Sequence, residues 1–475
     1  MTDLRPPESH VFLARTPAPD SRSMHAIAAP ELGCTEATAA QVAVREVLSS
    51  AGLDRERQGT ESWNPLGAYV RPGARVLLKP NWVLHTHRSG GDDACLTTDT
   101  AVLEALLPYV AAAKPSSVVI GDAPVQGCDF EVLKQRKGLE RLVEQLDALG
   151  VDSRIEDFRR TIRGDEGPAS VAATEAGDER DYVLFDLGGS SRLEEITRAD
   201  TQFRVTMYDP DLLQQRHGIG RHQYLVARDV IDADVVINVP KLKTHKKAGL
   251  TCALKNLVGI NGNKEFLPHH RKGGAEDGGD CYAGSSRSKR AVEDVLDHYN
   301  RSDVPVVRRA LHGAARSLRA LARARGHDGN YEGSWSGNDT VWRMCLDLHT
   351  VLGFGRSDGT IGSTRQREVI TLTDGIVAGQ GEGPLSPDPA ALGLVSFAGN
   401  VAAADWVHGA LIGMDPERVP LLRRAFDPGP HAIADFEPSH VRAFLGGEEL
   451  SFPHGVRGAG RAFTLPAGWA DASFG

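Results

Sequence analysis

Four short apolar runs in this 475-residue chain each stop at a charged or turn-forming residue. Residues 75–78 lead into Lys79-Pro80-Asn81, 117–120 into Gly121-Asp122, 233–239 into Pro240-Lys241, and 369–373 into Asp374-Gly375. Runs of this length with helical stretches between them fit strands of a parallel sheet whose faces are covered by helices. The helices expected are 36–51, with Thr35 as N-cap and Gly52 as stop, 100–113, and 402–412. Residues 287–325, rich in Arg and Ala, read as an exposed helical insertion broken at Pro305. The fold class expected is α/β, with mostly parallel sheets covered by helices, in two lobes with a helical insertion. Four regions follow: a loose N-terminal arm (1–34), an N-terminal α/β domain (35–230), a second α/β lobe (231–430) with the insertion at about 287–345, and a C-terminal extension (431–475).

The run ending at Pro240 is followed by Lys241, Lys243, His245, Lys246 and Lys247, with Lys255-Asn256 beginning ten residues beyond His245. From 241 to 272 there are eight Lys/Arg, three His and a single acid, Glu265. Clustered ammonium groups repel one another, and the chain as a whole is acidic, with a formal net charge of −9. The compensation expected is an anion: carboxylate, phosphate or sulfate. Charge runs ordinarily form a solvated face, but this one abuts an apolar strand and contains Asn256 and three histidines.

Ligands of open α/β sheets bind outside the carboxyl ends of the strands. Lys79, Asn81, Asp122, Lys241, Lys243, His245 and Asp374 all occupy such ends, so they are expected to share one site. His245 is the expected general acid/base, since flanking cations favour its neutral form. Lys243 and Lys255 are expected to stabilise a developing oxyanion or enolate. Lys79, Asn81, Lys241, Asn256, Lys264, His269, His270 and Arg271 are the expected substrate contacts. Asp122, Asp374 and Glu382 suit either a hard divalent cation such as Mg²⁺ or Mn²⁺, or turn capping and pairing with lysines.

Composition narrows the classes. At 41% hydrophobic and 25% charged, with pI ≈ 6.0, the chain fits an ordinary cytoplasmic protein. No apolar run reaches the roughly 18–20 residues of a membrane span, and the first 34 residues lack signal-peptide features. Six cysteines are scattered without a CxxC pair, so no iron–sulfur or zinc-finger spacing exists. No dinucleotide fingerprint supports nicotinamide or flavin, and no nucleophile elbow supports Ser-His-Asp hydrolysis. The basic stretch lacks interleaved aromatics, which argues against nucleic acid. The sequence leaves the oligomeric state and any metal or organic cofactor open.

Four segments together resemble the DUF362 family: LLKPNWV (77–83), ADVVINVPKLKTH with GLTCALKNLVGI (233–260), TDGIVAGQGEGP (373–384) and GMDP (413–416). Many members carry cysteine motifs for iron–sulfur clusters; this chain departs from them, so that role is not carried over. The family is also distantly similar to the lactate-racemase fold, in which a His and a Lys ten residues apart follow a strand. There the Lys tethers a nickel-pincer cofactor and the His takes part in proton transfer. His245 and Lys255 have that spacing, but the intervening KKAGLTCAL retains only Gly249 of the glycine-rich pattern. Covalent cofactor attachment is therefore not carried over.

The function expected is an enzyme that transfers protons on a small anionic carboxylate or phosphate without net redox change, as an isomerase, epimerase or lyase. The alternative is a non-catalytic anion- or cofactor-binding protein, or a metallocofactor-assembly factor.

Overall fold

The computed structural model describes residues 5–162, 174–175, 177–205, 208–324 and 331–474. Its centre is an 11-stranded sheet. In chain order the strands are β1 (His10–Arg15), β2 (Arg75–Pro80), β3 (Ser117–Asp122), β4 (Ser153–Asp157), β5 (Val235–Val239), β6 (Lys241–His245), β7 (Gly249–Thr251), β8 (Glu368–Gln380), β9 (Asp388–Ala398), β10 (Arg442–Leu445) and β11 (Glu448–Leu450). Their spatial order is β11-β10-β1-β9-β8-β5-β2-β3-β4, with β6 hydrogen-bonded to β8 and β7. From β8 through β4 every neighbour is parallel, while β9 is antiparallel to both β8 and β1. The expected α/β class, mostly parallel and flanked by helices, is what the chain adopts.

Alternation along the strands divides the core in two. Val76 and Leu78, Val118 and Ile120, and Val235, Ile237 and Val239 face one side, where they pack with α1 (Ala39–Ser50), α2 (Thr100–Ala112) and α3 (Glu140–Ala148). Leu77, Val119 and Val236 face the other side and join a core that contains α6 (Val341–Phe354) and α7 (Val401–Leu411). The period of two along a strand makes this two-faced burial possible, and helices on both faces make it necessary. Between α3 and α6 lie α4 (Arg287–Arg301) and α5 (Pro305–Ala324), which place Pro305 at the first position of the second helix, as the break at that residue required. Residues 325–330 of that insertion lie outside the described residues. No described helix is long and apolar enough to cross a membrane.

Three expectations change. The arm 1–34, whose first four residues are not described, is not loose: β1 sits between β9 and β10, with Val11, Leu13 and Ala14 fully buried. Its alternating VFLA pattern supplies Val11 and Leu13 to one core and Phe12 and Ala14 to the other, which outweighs the Pro- and Ser-rich flanks. The boundary at residue 230 runs through the sheet, since β5 lies between β2 and β8, so residues 35–230 and 231–430 share one sheet. Helix α1 begins at Ala39 and not at Glu36, because Thr38 makes the capping box with Gln41 while residues 34–38 form a short hairpin strand.

Leu13→Ala would lower unfolding free energy by about 2–5 kcal/mol in denaturant melts, as for a buried core leucine. A change within roughly 0.5 kcal/mol, the surface value, would put residues 10–15 back into a loose arm.

Candidate functional site

The carboxyl ends of β2 and β3, together with β6, border a cavity of about 320 Å³. Lys243, Lys247, Lys255 and Lys264 line it together with His245 and His269. Apolar groups, among them Val83, Val125, Val258 and Leu267, complete its wall. A buried wall that is part apolar and part cationic fits a small anion with a hydrocarbon portion.

The lysines fall into two classes. Lys79 and Lys241 are fully buried and each is matched to an aspartate: Lys79 Nζ lies 2.7 Å from Asp122 Oδ1, and Lys241 Nζ lies 2.6 Å from Asp374 Oδ2. Backbone groups complete both pairs. Trp82 N–H donates to Asp122 at 2.6 Å, and Asp99 N–H donates to Asp374 at 2.8 Å. Gly259 lies directly over the first pair, and a Cβ there would come within 2.0 Å of Asp122 Oδ1, so only glycine fits. These two lysines hold strands together and do not line the cavity, contrary to the expectation that they bind substrate. A buried ammonium that already has its carboxylate has no charge left to offer.

The second class has no such partner. Among the described residues, Lys243 donates to the Leu96 carbonyl and Lys264 to the Ala123 carbonyl at 2.9 Å, neither of which is charged. Lys255, 8% exposed, has no hydrogen-bond or carboxylate partner among the described residues. Burial, with Lys241 close by, pulls the Lys243 ammonium down to about 7. Burial likewise takes Lys264 to about 8, and Lys247, despite nearby Glu332, to about 8. Burial also lowers Lys255. Lys243, Lys255 and Lys264 are thus buried without a paired carboxylate of their own, and a bound anion would relieve them.

The two histidines are set in opposite tautomers. His245 Nδ1 accepts from the backbone N–H groups of Lys247 and Ala248 at 3.0 and 3.2 Å, so the neutral ring carries its proton on Nε2. His269 Nδ1 lies 2.7 Å from the Leu267 carbonyl, so it carries the proton there and leaves the Nε2 lone pair available. Burial, and next the Lys255 charge, hold both rings well below the usual imidazole range, hence neutral. The basic nitrogen therefore belongs to His269 and not to His245, which presents a donor. Sequence spacing drew attention to His245 because it ends β6; the tautomer was decided by the tight turn after it. That turn uses Gly249 at φ +79, where a Cβ would strike the Trp469 ring at 2.9 Å.

Residues 192–408 match the family model for a domain of unknown function, DUF362. That stretch belongs to the family. A thylakoid-associated protein of Synechocystis sp. is 23% identical over 358 residues, which cover 75% of this chain and 68% of that protein. A crystal structure of a protein from Thermotoga maritima aligns at 11% identity and a TM-score of 0.26, covering 68% of this chain; the chain spans half the length of that protein.

The remaining expected residues divide as follows. Asn81 and Asn256 line the cavity, but Asn256 mainly ties β2 to β5: it donates to the Lys79 carbonyl and to Asn238, and accepts from Asn81. Asn81 Oδ1 is buried without a hydrogen-bond partner. His270 turns into a neighbouring cavity, and Arg271 pairs with Asp280 at 3.4 Å; neither lines this one. The acids expected to gather round a cation do not converge. Asp122 and Asp374 serve the two lysines, and Asp374 sits within β8, not at its end, while Glu382 is exposed and accepts from Ala467 N–H at 2.9 Å. Sequence reasoning left Lys247 out of the site although the KLKTHKK run contained it. It also left out Gln126 and Tyr208, which line the cavity from loops with no apolar periodicity to mark them.

The two classes of lysine predict opposite stabilities. Lys241→Ala would strand the buried Asp374 and cost about 3–5 kcal/mol. Lys255→Met removes an unmatched buried cation and would leave the ligand-free protein within about 1 kcal/mol of wild type, or more stable. Chemical denaturation of both variants checks this.

Proposed function

We propose that the chain is a cytoplasmic enzyme acting on a small anionic metabolite, a carboxylate or phosphate, by redox-neutral proton transfer of the isomerase, epimerase or lyase type. The observation that carries this reading is the Lys255 ammonium, buried at the cavity wall with no counter-charge among the described residues.

In this reading Lys255, Lys243 and Lys264 hold the anion, and the apolar wall takes the hydrocarbon part. His269 Nε2 accepts the proton from the carbon beside the anionic or carbonyl group. The electron pair left behind moves onto the oxygen, where His245 Nε2–H and the ammonium groups stabilise it. Returning the proton from His269 to the adjacent carbon completes an isomerisation; expelling a leaving group from that carbon completes an elimination. Cations around His269 oppose its protonation, but the substrate's own charge offsets them once bound. The low polarity of the cavity strengthens each of these contacts.

His269→Gln would retain the anion but lose turnover by about 10²–10⁴-fold, the usual worth of a general base. Lys255→Met would lose binding of the same anion. Binding without turnover in the wild type, across carboxylates and sugar phosphates, would favour the anion-binding or assembly alternative.

The depressed lysines set a pH dependence. In the unfolded chain they hold protons up to about pH 10.5, whereas Lys243, Lys247 and Lys264 release theirs in the folded chain at about 7–8. Over that interval the unfolded state binds more protons, so stability of the ligand-free protein rises with pH. An anion keeps the lysines charged. Inorganic phosphate would therefore stabilise most near pH 7, lose affinity as pH rises toward 9, and flatten the rise in melting temperature. Thermal melts across that range, with and without phosphate, measure all three effects.

A further inference from the structure

A second cavity, of about 90 Å³, adjoins the cationic one and shares Val205 and Glu332 with it. His270, Cys281 and Glu293 meet there, with an imidazole nitrogen, a sulfur and a carboxylate oxygen all within 4.8 Å of one another. All three are buried, at 4%, 1% and 8% exposure. They come from three places: a two-residue strand paired with Phe203–Arg204, the loop after it, and α4. His270 Nδ1 is buried with no hydrogen-bond partner. An imidazole nitrogen normally finds a partner when it is buried.

We propose that His270, Cys281 and Glu293 bind a divalent zinc ion. A nitrogen, a sulfur and an oxygen donor together suit borderline-soft Zn²⁺ and not Mg²⁺ or Ca²⁺. A tetrahedral zinc holds such donors roughly 3.3–3.8 Å apart, so from separations of at most 4.8 Å the three need draw in by no more than about 1.5 Å. A thiolate and a carboxylate balance the two charges of the ion, which leaves the buried site neutral. The supporting contacts are in place. Glu332 N–H donates to Cys281 Sγ at 3.1 Å, and Gly273 N–H donates to the Glu293 carboxylate at 3.1 Å. Such outer contacts orient and tune metal ligands. Two of the arginines lining the cavity are paired elsewhere, Arg204 with Asp297 and Arg319 with Glu332. A cavity of 90 Å³ leaves room for a fourth, non-protein ligand.

Among the described residues a second trio, Cys252, Asp405 and His408, differs at its imidazole: His408 has partners on both ring nitrogens, Asp405 and Cys252 at Nδ1 and Ser396 at Nε2, where His270 Nδ1 has none. Asp405 also accepts from Ala253 and Leu254 N–H. The trio carries no such proposal.

The test uses the full chain, stripped with chelator and reloaded with Zn²⁺ or, as a spectroscopic probe, Co²⁺. The expected result is one equivalent of zinc retained through gel filtration, and a thiolate-to-cobalt charge-transfer band in the near ultraviolet. Cys281→Ser would abolish the band, and His270→Gln and Glu293→Gln would each weaken metal binding by at least about tenfold. Where Cys281→Ser does not fold, His270→Gln carries the test: Zn²⁺ raises the melting temperature of wild type and not of the variant. Wild type that retains no metal, a band that survives Cys281→Ser, or equal zinc stabilisation of His270→Gln would overturn the proposal. None of these readouts depends on the anion cavity or on turnover.

Discussion

Burying an ammonium group is costly, and the way this chain meets that cost organises everything around the sheet's carboxyl edge. Two lysines are matched: Lys79 by Asp122 across β2 and β3, and Lys241 by Asp374 across β6 and β8. Each pair locks neighbouring strands at the point where they end or bend, and backbone N–H groups satisfy the remaining carboxylate lone pairs. Against that rigid frame stand Lys243 and Lys264, which donate to neutral carbonyls, and Lys255, which has no carboxylate partner among the described residues. A fold that pairs some buried cations with acids and leaves others open separates structural charge from charge held in reserve.

The histidines show how little separates a donor from a base in such a frame. His245 and His269 line the same cavity and are held neutral by the same burial. What distinguishes them is whether the backbone offers Nδ1 an N–H or a carbonyl. The proton's place on each ring is thereby set by local turns and not by the sheet, which is why a one-residue change in either turn would exchange or erase the two roles.

Much of the architecture was legible from the strands. Apolar runs closing on Lys79, Asp122 and Lys241 are strands at those places, and the parallel sheet follows from the helices between them. Residues 10–15 were misread because composition was judged over 34 residues, while the six that matter alternate between two cores. Which lysines face the cavity was not legible, because Lys241 and Lys243 are both on β6 and the bulge in its pairing with β8 determines where each side chain goes. The acids misled for a related reason: a carboxylate near a strand end looks the same in sequence whether it awaits a cation from solution or already holds a lysine. His270 and His269 are adjacent in sequence yet serve different cavities, a division that periodicity alone cannot reveal.

The position of β1 bears on how the molecule is assembled. Val11 lies opposite Ala398 on one side and Ala443 on the other, so residues near one end of the chain wait for partners hundreds of positions away. Contacts of such long sequence separation close late, because loop entropy must be spent before they form. During vectorial synthesis β1 emerges well before β9 and β10 exist, and it stays unpaired until they are made. That interval leaves an unpaired strand edge open to other chains, and it makes the ribosome-bound stage the moment of greatest exposure to aggregation.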